Sequence, residues 1–562
     1  MHISPAQVGN PTALSVRNRL GLAAGLLAGA AALSAHATHP IVTVYVDKTA
    51  PQGGDGSSWQ SAYRDLQIAF DALQSKVAGI SPPPAYVVKV AQGTYKPDHG
   101  TKDRRAKYAA TIGATSAISI SLLGSFGGLA SASPDQQDFI STRTIVSGDL
   151  NDDDLPGFVN TTDNSELLLV VDSYGASIAI DSLDFRGGNN TAISIFGYPS
   201  GVFPMSAVTL TDAYRSQPIS VTRCNFQNNQ SLRRGGALLP TGSLLTISEC
   251  TFRGNRTEAA GGAFWTAFYP SVQVSKSVFV GNVSGAQGGA ISFVDGTVDR
   301  CVFDSNVSGY QGGGFSARNW SVSSSLFVRN HAAVKGGAFA GVESIVGSAR
   351  HCTLADNQAG TGAAFAHDGT AVSVSDIIAW GNVSTSGTAI DLSACTGLST
   401  FGASNLQGGA ASVTSKPGKV TFSPSSMATD PQFIQPAAGP NDLLPLNQLN
   451  YRLRWSSPAI GASISTESAP IPIDLDGNQL PALGSAADLG CYFNNVATCL
   501  FDLSSTPPSV VNDLDFQLFA LAYDTMLISE SANPSADFNR DGVINDADFQ
   551  LFVGAYDAGI CP

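Results

Sequence analysis

The sequence predicts an all-β fold: a right-handed parallel β-helix with an N-terminal capping helix, followed by a small helical unit at the C-terminal end. Three observations carry this. One coil position recurs at Cys224, Cys250, Ser277, Cys301, Ser325, Cys352 and Ile377, a mean spacing of about 25.5 residues, in the range that marks a solenoid. Val221, Ile247, Val274, Val298 and Val322 stand three residues before that position, and Phe usually stands two after it, giving the period-two alternation of strands. Asn229, Asn255, Asn282, Asn306, Asn330, Asn357 and Asn382 then fall at one turn of successive coils, each before a glycine-rich step such as Gly261-Gly262 or Gly288-Gly289. Leucine-rich repeats share the period but need a ladder of leucines. Here the apolar positions are mostly Val, Phe, Ala and Cys, so the coil is all strand and corner.

The asparagines read as a structural ladder, because turns favour Asn and side-chain amides can bond from rung to rung. The paired glycines allow tight corners and close stacking. Taken in chain order, Arg17 and Arg19, the apolar run from Leu20 to Leu33 and the small residues around Ala37 predict a secretory signal over residues 1–37. That run is too short for a membrane span, and no later segment could cross a bilayer. A strand follows at Val44–Asp47, then a helix over 61–76 with Tyr63, Leu66, Phe70 and Leu73 on one face. A β-helix end exposes apolar interior and unpaired backbone, so this helix is expected to cover the first coil. Irregular coils run from 87 to about 195, regular ones over about 219–409, and less regular closing strands reach 493. Residues 494–508 read as a linker merging into a last unit at 509–562.

The F-x-x-N and G-G-A words of this repeat resemble polymorphic outer-membrane proteins and pectin-lyase-like β-helices. Tyr45-Val46-Asp47, Gly54-Asp55-Gly56, Trp59 and Val90 to Tyr95 are similar to the opening of secreted bacterial β-helix proteins. Asp430-Pro431, Ser457 to Ile460, Asp474 to Gly477 and Asp488-Leu489-Gly490 are similar to the closing coils of the same group. The resemblance implies an architecture and little about chemistry.

Charged residues make up 13% of the chain and the net charge is −14, which argues against nucleic acid or an anionic membrane as partner. Export permits disulfides, but Cys301 and Cys352 lie two coils apart, roughly 9–10 Å at the strand spacing, beyond bonding reach. Cys224 and Cys250 are adjacent with parallel side chains, so a bond there would be strained. Cys499 and Cys561 bracket the last unit, and both a bond and two free thiols stay open.

Residues 537–548 place oxygen ligands at loop positions 1, 3, 5, 9 and 12, with Gly542 at 6, the calcium loop of an EF-hand. Asp537, Asn539, Asp541 and Asp548 would supply side chains, Val543 a carbonyl and Asn545 a water-mediated contact. The helix that follows, from Phe549-Gln550-Leu551-Phe552, is echoed 33 residues earlier by Phe516-Gln517-Leu518-Phe519. This tandem resembles the dockerin domain, which implies a cohesin-like partner met through Asp546 and Ala547, with Asp513 and Leu514 as the second face. Ser504, Thr506 and Pro508 replace the ligands of the first loop, so one Ca²⁺ is expected. From 501 to 562 there are ten acidic residues and one Arg, and a divalent ion offsets part of that repulsion.

Chemistry of the pectin-lyase-like group needs clustered carboxylates with a cation. Alignment on the glycine steps puts Asp295, Arg318, Glu343 and the pair His367-Asp368 in one column over four coils. Functionally these would be acids and bases flanking a carboxylate-binding arginine. Structurally they make a surface charge ladder, the reading favoured because nothing else converges there. Asp149-Leu150-Asn151-Asp152-Asp153 has ligand spacing, but Asp154 replaces the glycine, so it reads as a turn. The sequence therefore points to a secreted or cell-surface attachment protein binding glycan or protein. A polysaccharide lyase or glycoside hydrolase, or a structural wall component, are the alternatives.

Overall fold

The computed structural model describes residues 39–76, 83–112, 118–190, 206–212, 217–266, 271–454, 456–464, 473–479, 484–493, 516–520, 536 and 544–558. The predicted signal, the linker, Cys499 and Cys561 lie outside these. So do Asp537, Asn539, Asp541 and Val543, together with Ser504, Thr506, Pro508, Asp513 and Leu514.

The body is a parallel β-helix. Its first face begins with Ile41–Val46, Ala85–Ala91, Ser119–Phe126 and Ser177–Asp181, each pairing in parallel with the next coil. Among the described residues, a second face of 11 strands runs from Gly93–Tyr95 to Ser404–Leu406, and a third of 8 short strands runs from Asn189–Asn190 to Val383–Ser384. Strands after the glycine step, such as Leu238–Thr241, join the first face in a sheet of 20 strands. Ile291–Asp299, Phe315–Ser323, Phe339–Arg350 and Phe365–Ser375 run through both parts.

Each coil turns its corners with left-handed residues. Arg223, Glu249, Lys276, Arg300, Ser324, His351 and Asp376 have φ between 44 and 58°, costing roughly 1 kcal/mol each for an L-residue. The small residue that follows compensates. The Ser277 hydroxyl donates to the Ser275 carbonyl at 2.8 Å and accepts the N–H of Cys250, one coil back, at 3.1 Å. Ser325 repeats this with Ser323 and Cys301, and the cysteines at this position donate to the same carbonyl two residues back. All six described cysteines are buried and free, and burial pushes the Cys301 thiol up to about 12. At the glycine step, a Cβ on Gly289 would lie 2.0 Å from the Gly313 carbonyl oxygen of the next coil. The column is glycine from Gly236 to Gly337 and ends on Ala363.

The expected ladder is present. The Asn282 side chain donates to Asn306 Oδ1 at 2.9 Å and to the Phe252 carbonyl at 3.0 Å, while its own Oδ1 accepts the backbone N–H and the amide of Asn255 at 3.1 and 3.0 Å. The same bonds link Asn229 through Asn382. Beside it Phe226, Phe252, Phe279, Phe303 and Phe327 stack with centroids 4.6–5.0 Å apart. The coil rise thus equals the offset-stacking distance of aromatic rings.

The capping helix spans Leu66–Lys76, shorter than predicted because Asp65 caps it, accepting the N–H of Gln67 at 2.7 Å. Leu66, Ala69, Phe70 and Leu73 join the main core. Gln67 bonds both the N–H and the carbonyl of Ala109, on strand Tyr108–Ile112, at 2.8 and 3.0 Å. The helix thereby covers the apolar end and satisfies an open strand edge.

Residues 430–493 differ from the expected closing coils. Phe433–Gln435 pairs antiparallel with Asn450–Leu453, and Ser463–Ile464 with Ala486–Ala487. This segment folds back over the outside of the second face, where Phe433, Tyr451, Leu453, Leu489 and Cys491 bury Leu326, Val328, Ala355 and Ile378. Those residues are apolar on both sides of their strands, so they need a cover. Arg329, in a buried ion pair with Asp304 at 2.7 Å, donates to the Asp442 carbonyl of this segment.

In the C-terminal unit, residues 516–520 are helical and a second helix spans Asp546–Ala558. Phe519 and Phe552 stack at 5.0 Å, and the pairs Phe516–Phe552 and Phe519–Phe549 both stand at 6.1 Å. Equivalent residues of the 33-residue echo thus occupy equivalent places about an approximate two-fold axis.

Asn306→Ala should lower rod stability by about 3 kcal/mol, since it leaves buried donors and acceptors on both neighbouring coils unpaired. Urea unfolding followed by far-ultraviolet circular dichroism measures this, and a loss below about 1 kcal/mol would contradict the ladder's role.

Candidate functional site

The five residues expected in one catalytic column do not form one. Asp295 is level with Asn319, not Arg318, and accepts its amide at 2.5 Å. Between coils the register shifts, Ala317 pairing with Gly341 but Trp320 with Gly347, so the strand bulges and Glu343, at φ 49°, falls out of register with the coil before it. Arg318 and Glu343 are both exposed and, among the described residues, take part in no ion pair. Asp368 pairs instead with Lys335 at 2.6 Å.

His367 is corrected most sharply. Phe365 stacks inward on Phe339 at 5.2 Å, and strand alternation carries His367 to the same side. It is fully buried against Trp320, with ring centroids 5.8 Å apart. A Cβ on Gly341, the residue between them, would lie 2.3 Å from His367 Nδ1 and 2.5 Å from Trp320 Nε1. Burial lowers the imidazole to about 4. A proton carrier sealed in the core cannot reach a polysaccharide.

A different group converges where the folded-back segment meets the rod. A cleft of about 440 Å³ is lined by Asp356, Trp380, Asp430, Gln432, Phe433 and Arg454, among others. Asp356 is a left-handed corner residue, buried, whose carboxylate accepts the Tyr451 hydroxyl at 2.7 Å. Burial pushes this carboxyl up to about 6, against the opposing hydrogen bond from Tyr451 and the charge of Arg329. Gly381 is required beside it, since a Cβ there would stand 2.2 Å from Asp356 Oδ1. Trp380 is half-buried at the end of strand Ile377–Trp380. Asp430 and Arg454 are exposed, and Arg454 is held by a bond to the Ile434 carbonyl at 2.8 Å. An indole face, two carboxylates and a guanidinium thus share one opening.

Sequence reasoning missed this group. The available signal was Trp380 itself, which stands in the column Val280, Asp304, Val328, Ala355. The ring packs partly against the apolar cluster that covers Val328 and Ala355, and its remaining surface lines the cleft.

Of the calcium set, the described members Asn545 and Asp548 lie at one helix N-terminus. Asn545 Oδ1 accepts the Ala547 N–H at 2.7 Å, and Asp548 Oδ2 accepts the Asn545 N–H at 2.9 Å, a reciprocal cap. Asp548 is fully buried, so the loop's last carboxylate is turned inward at the positive end of the helix. No helix among the described residues is long and apolar enough to cross a membrane.

No family model and no curated protein matches this chain. Among solved structures, the chain is similar to the crystal structure of pectate lyase Pel9A, at 12% identity over 81% of this chain and 97% of that one, with a TM-score of 0.38.

Two buried histidines make the rod acid-sensitive. His351, against Phe493 at 5.1 Å, is lowered by burial to about 4, like His367. A base whose folded value lies below its unfolded 6.5 gives stability that is complete above pH 6.5 and lost as pH falls toward 4. Each contributes up to about 3 kcal/mol. His351→Phe with His367→Leu should therefore flatten the denaturation midpoint between pH 6.5 and 4, and an unchanged slope would contradict the assignment.

Proposed function

We propose that this chain is an extracellular attachment protein whose rod binds glycan in the Trp380 cleft. The single observation that carries this is the composition of that cleft. An indole face offers a platform for a sugar ring, while Asp430, Gln432 and Arg454 offer acceptors and donors for hydroxyl groups at its rim. Such a site orients a polar ligand on a largely preformed surface. The scattering of Asp295, Arg318, Glu343, His367 and Asp368 supports attachment over catalysis.

The C-terminal unit would tether the rod to a cohesin-like protein or another cell-surface component. Calcium would be held by Asp537, Asn539, Asp541 and Asp548, with the Val543 carbonyl and Asn545 through water. The ion would neutralise the acidic loop and fix the helix it precedes. Asp546 and Ala547 at the start of that helix would face the partner.

One observation favours a second reading, a polysaccharide lyase or glycoside hydrolase. The Asp356 carboxyl, raised by burial to about 6, lies closer to neutral pH than an ordinary carboxylate, as suits a general acid, and Asp430 lines the same cleft. A glycan array read for both retention and reducing-end release separates the two.

Under the attachment reading, Trp380→Ala weakens retention about 30-fold, equivalent to roughly 2 kcal/mol for an aromatic anchor, and no reducing ends appear. Unchanged retention in that variant would remove the cleft from the proposal. Release abolished by Asp356→Asn with retention intact would establish the enzyme instead.

A further inference from the structure

We propose that the loop leaving the rod after strand Thr144–Ser147 binds a calcium ion between Asp149, Asp153 and Asp154, against the amide of Asn164. One oxygen from each of the three carboxylates lies within 4.8 Å of the others. That is the span of a single shell around an ion with bonds of about 2.4 Å. The Asp149 carboxylate also accepts the N–H groups of Asp153 and Asp154 at 3.1 and 3.2 Å, which fold the loop so that its acids converge.

The chain's own cations leave this cluster alone. Lys96 pairs with Asp152 at 2.8 Å, Lys102 donates to the Leu150 carbonyl, and Arg104 donates to the Asn164 carbonyl at 2.8 Å. Among the described residues, none forms an ion pair with Asp149, Asp153 or Asp154.

Asn164 is the independent sign of a ligand. It is 1% exposed, and its amide enters the cluster, Nδ2 donating to Asp154 Oδ2 at 2.8 Å. Its Oδ1 is sealed from solvent without a donor, and so is Asp154 Oδ1. Buried acceptors are normally satisfied, and acceptors left over beside three carboxylates are satisfied by a hard cation. Calcium suits the site because it takes six to eight oxygens in a flexible shell. Gly187, on the next coil at φ 67°, closes the floor, a Cβ there standing 3.0 Å from Asp154 Oδ2. The ion would fasten the loop to the rod. Phe158 and Thr161 of the same loop line a second cleft with Arg104 and Arg256, so the ion would also set the shape of that opening.

The test uses the full chain and must separate this ion from the one proposed for the C-terminal loop. In the Asp541→Ala background, dialysis against calcium followed by elemental analysis should leave one calcium per chain. Asp149→Asn with Asp153→Asn in that background should remove it, and Asn164→Ala should weaken calcium binding at least about tenfold, as expected for a supporting group. Circular dichroism in EDTA should be the same for all variants, showing an intact rod. No bound calcium in the Asp541→Ala chain, or calcium that survives the double substitution, overturns the proposal. A fall from two calcium ions per chain to one on Asp541→Ala bears on the C-terminal loop alone.

Discussion

Saturation of the asparagine amides governs this structure. Each ladder side chain from Asn255 to Asn357 uses both donors and accepts twice, and every partner belongs to the coil above or below. A coil displaced along the axis or shifted by one residue would strand buried donors and acceptors, each costing about 1–3 kcal/mol. The phenylalanine stack, the left-handed corners and the glycine step all follow from that alignment. Each of them needs its counterpart directly overhead.

A rod fixed so tightly inside is free to vary outside. Chemistry therefore gathers where the repeat is interrupted: the acidic loop after Ser147, the bulge carrying Glu343, and the segment laid over the second face. Trp380 and Asp356 come from the regular coils, yet they line an opening only because Phe433 and Arg454 are brought beside them. The cleft is a property of the junction.

The sequence made the periodic part legible. The coil period, the asparagine ladder, the small corner residues and the capping helix could be read because each is a local pattern repeated in phase. The paired C-terminal helices were legible through their echo for the same reason. The catalytic column failed at an insertion: three extra residues between Gly341 and Gly347 put Glu343 in a bulge of its strand, and counting from the glycine step cannot see a bulge. His367 misled because a polar side chain was assumed to face water, whereas strand alternation sends it inward with Phe365. The Trp380 cleft was out of reach, since Asp356 and Tyr451 are 95 residues apart and meet only in three dimensions. Residues 430–493 read as coils because nothing in their composition separates a strand that continues a stack from one lying across it.

That segment also changes how the rod can come apart. Solenoids tend to fray from their ends, one repeat at a time, since each unit touches only its neighbours. Here Arg329, Thr353, Asp356 and Asp376, on three successive coils, are all bonded to the same stretch of returning chain. It acts as a splint across the grain of the stack. The coils it crosses are tied to one another through it, so they are expected to open together and not one at a time.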